Sequence, residues 1–365
     1  MDILSGNELK SLMQKQLGIC VSIYMPAIRK GAEIQQNQIR YKNLLRDAED
    51  RLLSSDLRPS EIKDILAPAQ EMSGNIPFWQ NQSDGLAVFL SPDTFKYYRL
   101  PKRFEELVVI TDRFHIKPLI PALGFDTEFF ILAISQKNVR LLRCSLQHVE
   151  EMDITGMPEN LDDALNLDDF EKRLQRHTGS EDMKANLLQY FQHVDRGLHE
   201  LLKDKKVPLI FAGVDYLLPI YREANTYPYL TEKGISGNPK GLSADKLRDT
   251  ARPIVESFLE AKRVDALSQY RQNAGTGLTS DNVSEIVQAA HHGRVGTLFV
   301  SVGVQQWGTF DTSTNTVRLD TDAGTGNEDL LDLATIQTIL NGGTVYAMDY
   351  DKIPIDSALA AIFRY

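Results

Sequence analysis

Cysteine, tryptophan and long apolar runs are scarce in this chain. Its 365 residues include two cysteines and two tryptophans. Two cysteines cannot form a zinc site without histidine, and Cys20 and Cys144 both lie in apolar, strand-like runs, so we expect both to be buried packing residues. No stretch approaches the roughly 18 uninterrupted apolar residues that a membrane span needs, and the first residues lack the pattern of a signal peptide. We therefore expect a cytosolic protein with no membrane contact.

Acidic residues outnumber basic ones, and the excess is unevenly distributed. The net charge is −10, and residues 266–365 carry five basic and eleven acidic side chains, whereas residues 1–118 carry 16 and 15. A protein that coats nucleic acid through bulk charge needs many lysines and arginines to neutralise phosphates. The composition argues against that mode of binding, but it leaves open local contacts from a basic loop.

The hydrophobic pattern predicts three consecutive α/β domains, at residues 1–118, 119–273 and 274–365. In the first, β-branched and apolar runs predict strands, and apolar residues at helical spacing predict an amphipathic helix. The strands are expected at 18–25, 86–90, 95–100 and 107–110, and the helix at 34–54. Two prolines at 118 and 121, after which the pattern restarts, suggest the first boundary.

The other two domains also alternate strands with helices, which favours a mixed sheet in each. The middle domain is expected to contain a hairpin of strands 129–135 and 139–145, a long helix with an apolar face from Leu187 to Leu201, a strand at 207–212 and a helix at 243–273. The last domain is expected to place helices 281–290 and 327–341 around strands 297–302 and 344–348, an α/β/α arrangement.

The sequence contains no strong enzyme motif. The chain has no GxxxxGK[ST], HExxH, GxSxG or GxGxxG motif, so we expect no cofactor. The histidine pair His291-His292 precedes Gly293 and fits a helix C-terminus better than a metal site, because neighbouring helical residues point about 100° apart. The carboxylates between Asp153 and Asp169 fit a solvated acidic loop, so we expect no metal either.

The segment 171–184 is the most informative one, because it gathers positive charge just before the long helix. Lys172, Arg173, Arg176 and Lys184 are candidate RNA contacts, since each can pair with a phosphate. A structural explanation is equally concrete: Thr178 and Glu181 fit the T-x-x-E capping box, so the segment could simply begin the helix. The residues alone leave both interpretations open.

Several phrases of the sequence resemble the archaeo-eukaryotic peptide-chain release factor superfamily, and more closely its bacterial branch. They are Asp84-Gly-Leu-Ala-Val-Phe89, Lys117-Pro-Leu-Ile120, Phe129-Phe-Ile-Leu-Ala-Ile-Ser135, Val139-Arg-Leu-Leu142 and Ala289-Ala-His-His-Gly-Arg-Val-Gly-Thr-Leu-Phe-Val300. The resemblance implies that the middle domain has a ribonuclease H-like fold and that the last domain is similar to ribosomal proteins that bind kinked RNA.

In that superfamily, a loop before the long helix of the middle domain offers Gly-Gly-Gln to the ester between peptide and tRNA. The corresponding segment here is Arg176-His-Thr-Gly-Ser180, which has one glycine and no glutamine after it. The candidate catalytic residues are therefore His177, Gly179 and Ser180, which would have to place the attacking water without the glutamine amide.

The resemblance implies a release-factor-like translation protein that engages tRNA or stalled ribosomes, in ribosome rescue or quality control. One alternative is a peptidyl-tRNA hydrolase or tRNA nuclease that uses His177 as general acid or base. Another is a non-catalytic adaptor that binds a protein partner through its acidic C-terminal domain. The ribosome or tRNA is the expected partner, and a monomer is the default.

Overall fold

Two compact units make up the fold of the chain. A computed structural model describes residues 4, 6–14, 18–55, 57–123, 128–135, 138–145, 148–153, 180–323, 326–353 and 357–365. The first unit combines Met1–Gly124 with Asp265–Tyr365, and the second is Phe125–Val264. Each contains helices packed on sheets, so the predicted mixed α/β class is confirmed. The three predicted domains, with boundaries at 118/119 and 273/274, stay a prediction.

The N-terminal part of the first unit is a four-stranded antiparallel sheet with helices beside it. The elements are α1 (Gly6–Met13), β1 (Cys20–Pro26), α2 (Gln35–Leu53), α3 (Pro59–Gly74), α4 (Ile76–Gln80), β2 (Gly85–Ser91), β3 (Thr94–Leu100), β4 (Leu107–Thr111) and α5 (Ile120–Leu123). The strand order is β3-β2-β1-β4.

Both faces of this sheet are covered, because alternate residues of a strand point to opposite sides. In β1, Val21, Ile23 and Met25 face a core built with α2, α3 and α4. Cys20 and Tyr24 face the opposite core, which includes residues of α1 and of the segment 114–120. Strand β1 therefore has no exposed face.

The C-terminal part of the first unit contains two sheets. The elements are β10 (Thr279–Ser280), α9 (Val283–His291), β11 (Val295–Ser301), β12 (Trp307–Asp311), β13 (Thr316–Leu319), β14 (Glu328–Asp329), α10 (Leu330–Leu340), β15 (Thr344–Met348) and β16 (Leu359–Phe363). The four-stranded sheet has the order β10-β16-β11-β15, and the three-stranded one has the order β13-β12-β14.

Helices lie on both sides of the four-stranded sheet. Leu298 and Val300 of β11 pack against α9 and α10 on one side. Phe299, between them in sequence, packs on the other side against Ala266 and Tyr270, which belong to the end of a long helix (Ala244–Gln272). The two helices that were expected around this sheet, α9 and α10, therefore lie on the same side of it, and the helix on the other side begins before residue 274.

A buried polar network joins the two parts of the first unit. His115 and Lys117, from the N-terminal part, lie beside Asp329 and Asp332, from the C-terminal part, and all four are at most 3% exposed. Lys117 Nζ is 2.8 Å from Asp329 Oδ2, and His115 Nε2 is 3.0 Å from the same oxygen. Lys117 Nζ also donates to the Val304 carbonyl. Every charge in the network therefore has a partner of opposite sign or a hydrogen bond.

The network is also tied to backbone from both parts of the chain. Asp332 Oδ1 accepts from the backbone N–H groups of Ile116 and Lys117, and Asp329 Oδ1 accepts from those of Gln306 and Leu331. Burial alone would raise the pKa of Asp329, but Lys117 and His115 outweigh it and lower that pKa to about 2. Asp329 is therefore ionised at neutral pH.

The second unit is built around a five-stranded sheet. Its elements are β5 (Phe129–Ser135), β6 (Asn138–Cys144), β7 (Val149–Met152), α6 (Ser180–Leu202), β8 (Leu209–Gly213), α7 (Leu217–Ala224), β9 (Ile235–Ser236) and α8 (Ala244–Gln272). The strand order is β7-β6-β5-β8-β9, and β5 and β8 are parallel. Different helices cover the two faces: α6 and α7 pack on one side and the first half of α8 on the other.

The cysteines are packing residues, as predicted. Cys20 and Cys144 are both buried and unbridged. Burial raises the pKa of each thiol to about 12, so neither is a thiolate at neutral pH. In the part of the chain that the structure describes, no helix combines the length and the hydropathy that a transmembrane segment needs.

Candidate functional site

Most of the predicted loop lies outside the described residues. This holds for Lys172, Arg173, Arg176, His177 and Gly179, and for the acidic run after Asp153. Helix α6 begins at Ser180, so residues 180–184 of the predicted loop belong to the helix. The assignment of these side chains to RNA contact or catalysis stays a prediction.

Lys184 is the one candidate of this loop whose side chain is described. Its Nζ lies 2.8 Å from Glu223 Oε1, and the two side chains are 52% and 49% exposed. An exposed pair of this kind is worth about 0–1 kcal/mol, so a phosphate could displace the carboxylate. Lys184 is therefore accessible to a ligand, although one of the protein's own acids partly neutralises it.

The histidine pair lies at a helix end, as predicted. His291 is the last residue of α9 and His292 is its C-cap, with its ring Nε2 3.2 Å from Asn315 Oδ1. The two rings meet edge to face, with centroids 5.1 Å apart. Among the described residues, no group of three or more histidine, cysteine, aspartate or glutamate side chains is placed to hold a metal ion.

A cleft of about 380 Å³ lies at the opposite end of α6 from the predicted loop. Its walls are the last turns of α6, the connection to β8 and the segment after α7. Polar and aromatic residues of the lining include Asp195, Lys203, Asp204, Lys205, Lys206, Thr226, Tyr227 and Tyr229. This volume is at the small end of the roughly 300–1,000 Å³ typical of small-molecule pockets.

The inner part of the cleft presents a carboxylate. Asp195 is 6% exposed, and its two oxygens accept from the backbone N–H and the hydroxyl of Thr226, at 3.1 and 2.7 Å. A carboxylate has about four acceptor positions, so Asp195 keeps capacity for further donors. No described lysine, arginine or histidine lies within ion-pair distance of it, although a buried carboxylate normally has such a partner.

Two tyrosines form the apolar wall, and their rings are fixed in place. The Tyr227 hydroxyl donates to the Val207 carbonyl at 2.7 Å and accepts from the Val207 N–H at 3.2 Å, which ties the ring to the connection just before β8. Tyr229 meets Tyr227 edge to face, with centroids 5.5 Å apart, and the Lys262 ammonium lies 5.0 Å from the centre of its ring. The wall is therefore ordered before any ligand arrives.

Three lysines lie around the cleft. Lys203 pairs with Glu200 at 2.7 Å, and Lys205 pairs with Glu128 at 2.9 Å. Lys206 is exposed and makes no hydrogen bond or ion pair with any described residue. Asp204, also exposed, is the one other acid in the described lining besides Asp195. The outer part of the cleft is therefore weakly basic.

Sequence reasoning missed this cleft, although its pieces are visible in the sequence as Lys203-Asp-Lys-Lys206 and Tyr227-Pro-Tyr229. Residues 195–206 and 226–229 meet because β8 pairs with β5 while α6 and α7 pack on the same face of the sheet. No local pattern predicts that meeting. The arrangement combines donors, acceptors and aromatic rings, which suits binding of a polar ligand.

Comparison with known proteins gives three results. A search among curated proteins finds no match. Among solved structures, an archaeal translation termination factor is 15% identical, with 98% of this chain and 96% of that chain covered and a TM-score of 0.25. Pelota of Archaeoglobus fulgidus is 14% identical, with 77% and 79% covered and a TM-score of 0.31. A translation termination-like factor of S. cerevisiae is 9% identical, with 75% and 74% covered and a TM-score of 0.39.

The third result is a match to a protein-family model over residues 128–294. These residues include the sheet of the second unit, α6, the cleft and, from the C-terminal part of the first unit, α9. These residues match the model of the bacterial archaeo-eukaryotic release factor family 3, which confirms the resemblance predicted from the sequence.

Proposed function

We propose that this protein is a release-factor-like translation factor that engages tRNA or stalled ribosomes. The observation that carries the proposal is the family match over residues 128–294. The proposal includes the finer assignments that the resemblance implies: a ribonuclease H-like middle domain and a last domain similar to proteins that bind kinked RNA. It also keeps the expectation of a cytoplasmic location and the default of a monomer.

Engagement, and not hydrolysis, is the core of this proposal. Gly179 is followed by Ser180, so the segment 176–180 has no glutamine amide to place an attacking water. Binding needs only that cations reach RNA phosphates. In the proposal, Lys172, Arg173, Arg176 and Lys184 contact the acceptor end of tRNA.

Co-sedimentation with ribosomes tests the proposal. We expect the full chain to sediment with ribosomes or to retain tRNA at moderate salt. The double variant Arg173→Glu with Arg176→Glu should bind about tenfold or more weakly, with a salt dependence shallower by about 1 per lost phosphate contact. A matched control is Lys233→Glu, an exposed lysine of the second unit that lies away from the loop in sequence.

The outcome that contradicts the proposal is a full chain that associates with neither ribosomes nor tRNA at moderate salt. A release assay on peptidyl-tRNA gives a separate readout for hydrolysis. If peptide is released and His177→Ala or Ser180→Ala abolishes the release, the protein is a hydrolase as well as a binder.

A further inference from the structure

We propose that the cleft at the end of α6 binds a nucleoside phosphate, either free or as a nucleotide of an RNA strand. Its three kinds of lining group suit the three parts of such a ligand. The carboxylate of Asp195 suits hydroxyl or amino donors, the tyrosine rings suit a base, and the lysines suit the phosphate.

Asp195 sets the polarity of the inner part. Both of its described hydrogen bonds come from Thr226, and the carboxylate remains nine-tenths buried with acceptor capacity to spare. A ligand that places a ribose hydroxyl or an exocyclic amine there supplies further donors for the acceptor positions that Thr226 leaves unused. Inorganic phosphate offers only its P–OH groups there and has no ring for the tyrosine wall, so we expect it to bind more weakly.

Tyr227 and Tyr229 supply a preorganised apolar wall for a flat ring. Hydrogen bonds to Val207 hold Tyr227, and the contact with Lys262 holds Tyr229. Stacking or edge contact of a base with such rings tolerates any base, because every base has a π face. The rings therefore favour a nucleotide over an aliphatic phosphate.

The lysines place positive charge at the outer part of the cleft, where the phosphate of a bound nucleotide would lie. Lys206 makes no described ion pair, Lys203 makes an exposed pair with Glu200, and Lys205 pairs with the half-buried Glu128. An exposed pair contributes little free energy, so a phosphate can compete for the Lys203 ammonium, and Lys206 has no described partner to lose. Charge-assisted hydrogen bonds to phosphate are stronger than neutral ones, which offsets the repulsion from Asp204.

The size of the cleft limits the ligand to about one nucleotide. A volume of about 380 Å³ has room for a small molecule but not for a folded RNA or peptide element. The idea that the nucleotide belongs to an RNA strand rests on the proposed function, whereas nucleotide binding itself rests only on the lining of the cleft. The two sources, free nucleotide and RNA, are separated by experiment.

Calorimetric titration of the full chain tests this inference, with adenosine 5′-monophosphate, a short single-stranded oligoribonucleotide and inorganic phosphate as probes. We expect the nucleotide or the oligoribonucleotide to bind and inorganic phosphate to bind much more weakly. Lys206→Glu and Tyr229→Leu should each weaken binding about tenfold, by loss of a phosphate contact and of a stacking surface. Lys233→Glu, an exposed lysine that does not line the cleft, should leave binding unchanged.

Asp195→Asn adds an independent arm, because it should weaken binding of the nucleotide while binding of inorganic phosphate stays the same or strengthens. Tighter binding of the oligoribonucleotide than of the free nucleotide assigns the cleft to RNA, and the reverse assigns it to a free nucleotide. The inference is overturned if neither the nucleotide nor the oligoribonucleotide binds at millimolar concentration. It is also overturned if Lys206→Glu and Lys233→Glu have the same effect on the affinity.

Failure of this inference is distinguishable from failure of the proposed function. If the full chain sediments with ribosomes but binds no nucleotide in the cleft, the proposed function stands and the proposed nucleotide site is wrong. If the chain binds nucleotide, and Lys206→Glu and Tyr229→Leu weaken that binding, but the chain associates with neither ribosomes nor tRNA, the nucleotide site stands and the proposed function is wrong.

Discussion

Lys117 is the residue whose substitution we expect to cost most stability. Its ammonium is fully buried, 2.8 Å from Asp329 Oδ2, so Lys117→Met leaves a buried carboxylate without its main partner. Breaking a buried pair in this way costs about 3–5 kcal/mol. Both tryptophans, Trp79 and Trp307, belong to the first unit, so urea unfolding followed by tryptophan fluorescence reports on that unit.

A matched control for Lys117→Met is Lys96→Met, because Lys96 lies on the edge strand β3 and is only half-buried. It should change the free energy of unfolding of the first unit by less than about 1 kcal/mol, as is usual for surface substitutions. Equal effects of the two substitutions would show that the buried network contributes nothing specific.

The two aspartates of the network should have opposite effects on pH dependence. Lys117 and His115 hold the pKa of Asp329 at about 2, against the rise that burial alone would cause, so its stabilisation is complete above the unfolded value of about 3.9 and is lost as pH falls toward 2. Burial raises the pKa of Asp332, helped by repulsion from Asp329, so its contribution is present below about 3.9 and is lost as pH rises through the raised value.

Asp332→Asn keeps a side-chain oxygen for the N–H groups of Ile116 and Lys117, and it removes a carboxyl that resists ionisation. We expect this variant to gain stability relative to the unsubstituted chain as pH rises from 4 to 7. Asp329→Asn should instead lose stability relative to the unsubstituted chain as pH rises from about 2 to 4, and the difference should then stay constant up to pH 7. Urea midpoints measured at unit intervals of pH give the two difference curves, and curves of the same sign would refute the assignment.

Among the elements, those with a strong local signal were predicted well from the sequence. The helix expected at 34–54 is observed as Gln35–Leu53, and the strand expected at 344–348 is observed as Thr344–Met348. Apolar periodicity in the first and an apolar, β-branched run in the second carried the signal. Helix Pro59–Gly74 was missed: it contains Pro68, which removes a backbone donor, and burial of Ile62, Ile65 and Leu66 compensates.

Helix α9 offers a test of local structure at its start. The Asn282 side chain accepts from the backbone N–H of Glu285 at 3.1 Å, which satisfies one of the free donors of the first turn. Asn282→Ala should lower the free energy of unfolding of the first unit by about 1 kcal/mol, and Asn282→Ser, which keeps an acceptor, by much less. Urea unfolding followed by tryptophan fluorescence checks both, and equal losses would show that the cap is not the cause.

At the scale of the whole molecule, the sequence could not show which distant segments meet. His115 and Asp329 are 214 residues apart, and the phrase Lys117-Pro-Leu-Ile120 contains nothing that identifies its lysine as buried. The cleft is hidden for the same reason, since Asp195 and Tyr229 belong to different elements. Patterns along the chain report burial and periodicity, whereas the choice of partners follows from the way the sheets and helices pack.

The first unit is built from two separate stretches of the chain, 1–124 and 265–365, and this leads to a prediction about fragments. Phe114, Leu119 and Ile120 pack in one core with Ile336, so a fragment of residues 1–124 would expose that core and the charge of Lys117. Each apolar side chain left uncovered costs about 1.5–3 kcal/mol. We expect residues 1–124 alone to unfold at much lower urea than the full chain, and to recover stability when co-expressed with residues 265–365.

Residues 125–264 carry their own sheet, with helices on both faces, and should unfold cooperatively as an isolated fragment. Circular dichroism suits this fragment because it contains no tryptophan. Co-purification of 1–124 with 265–365, and not with 125–264, would support the two-unit division. If 1–124 alone keeps the urea midpoint of the full chain, the N-terminal segment is an independent domain, and the predicted division at 118/119 is the better description.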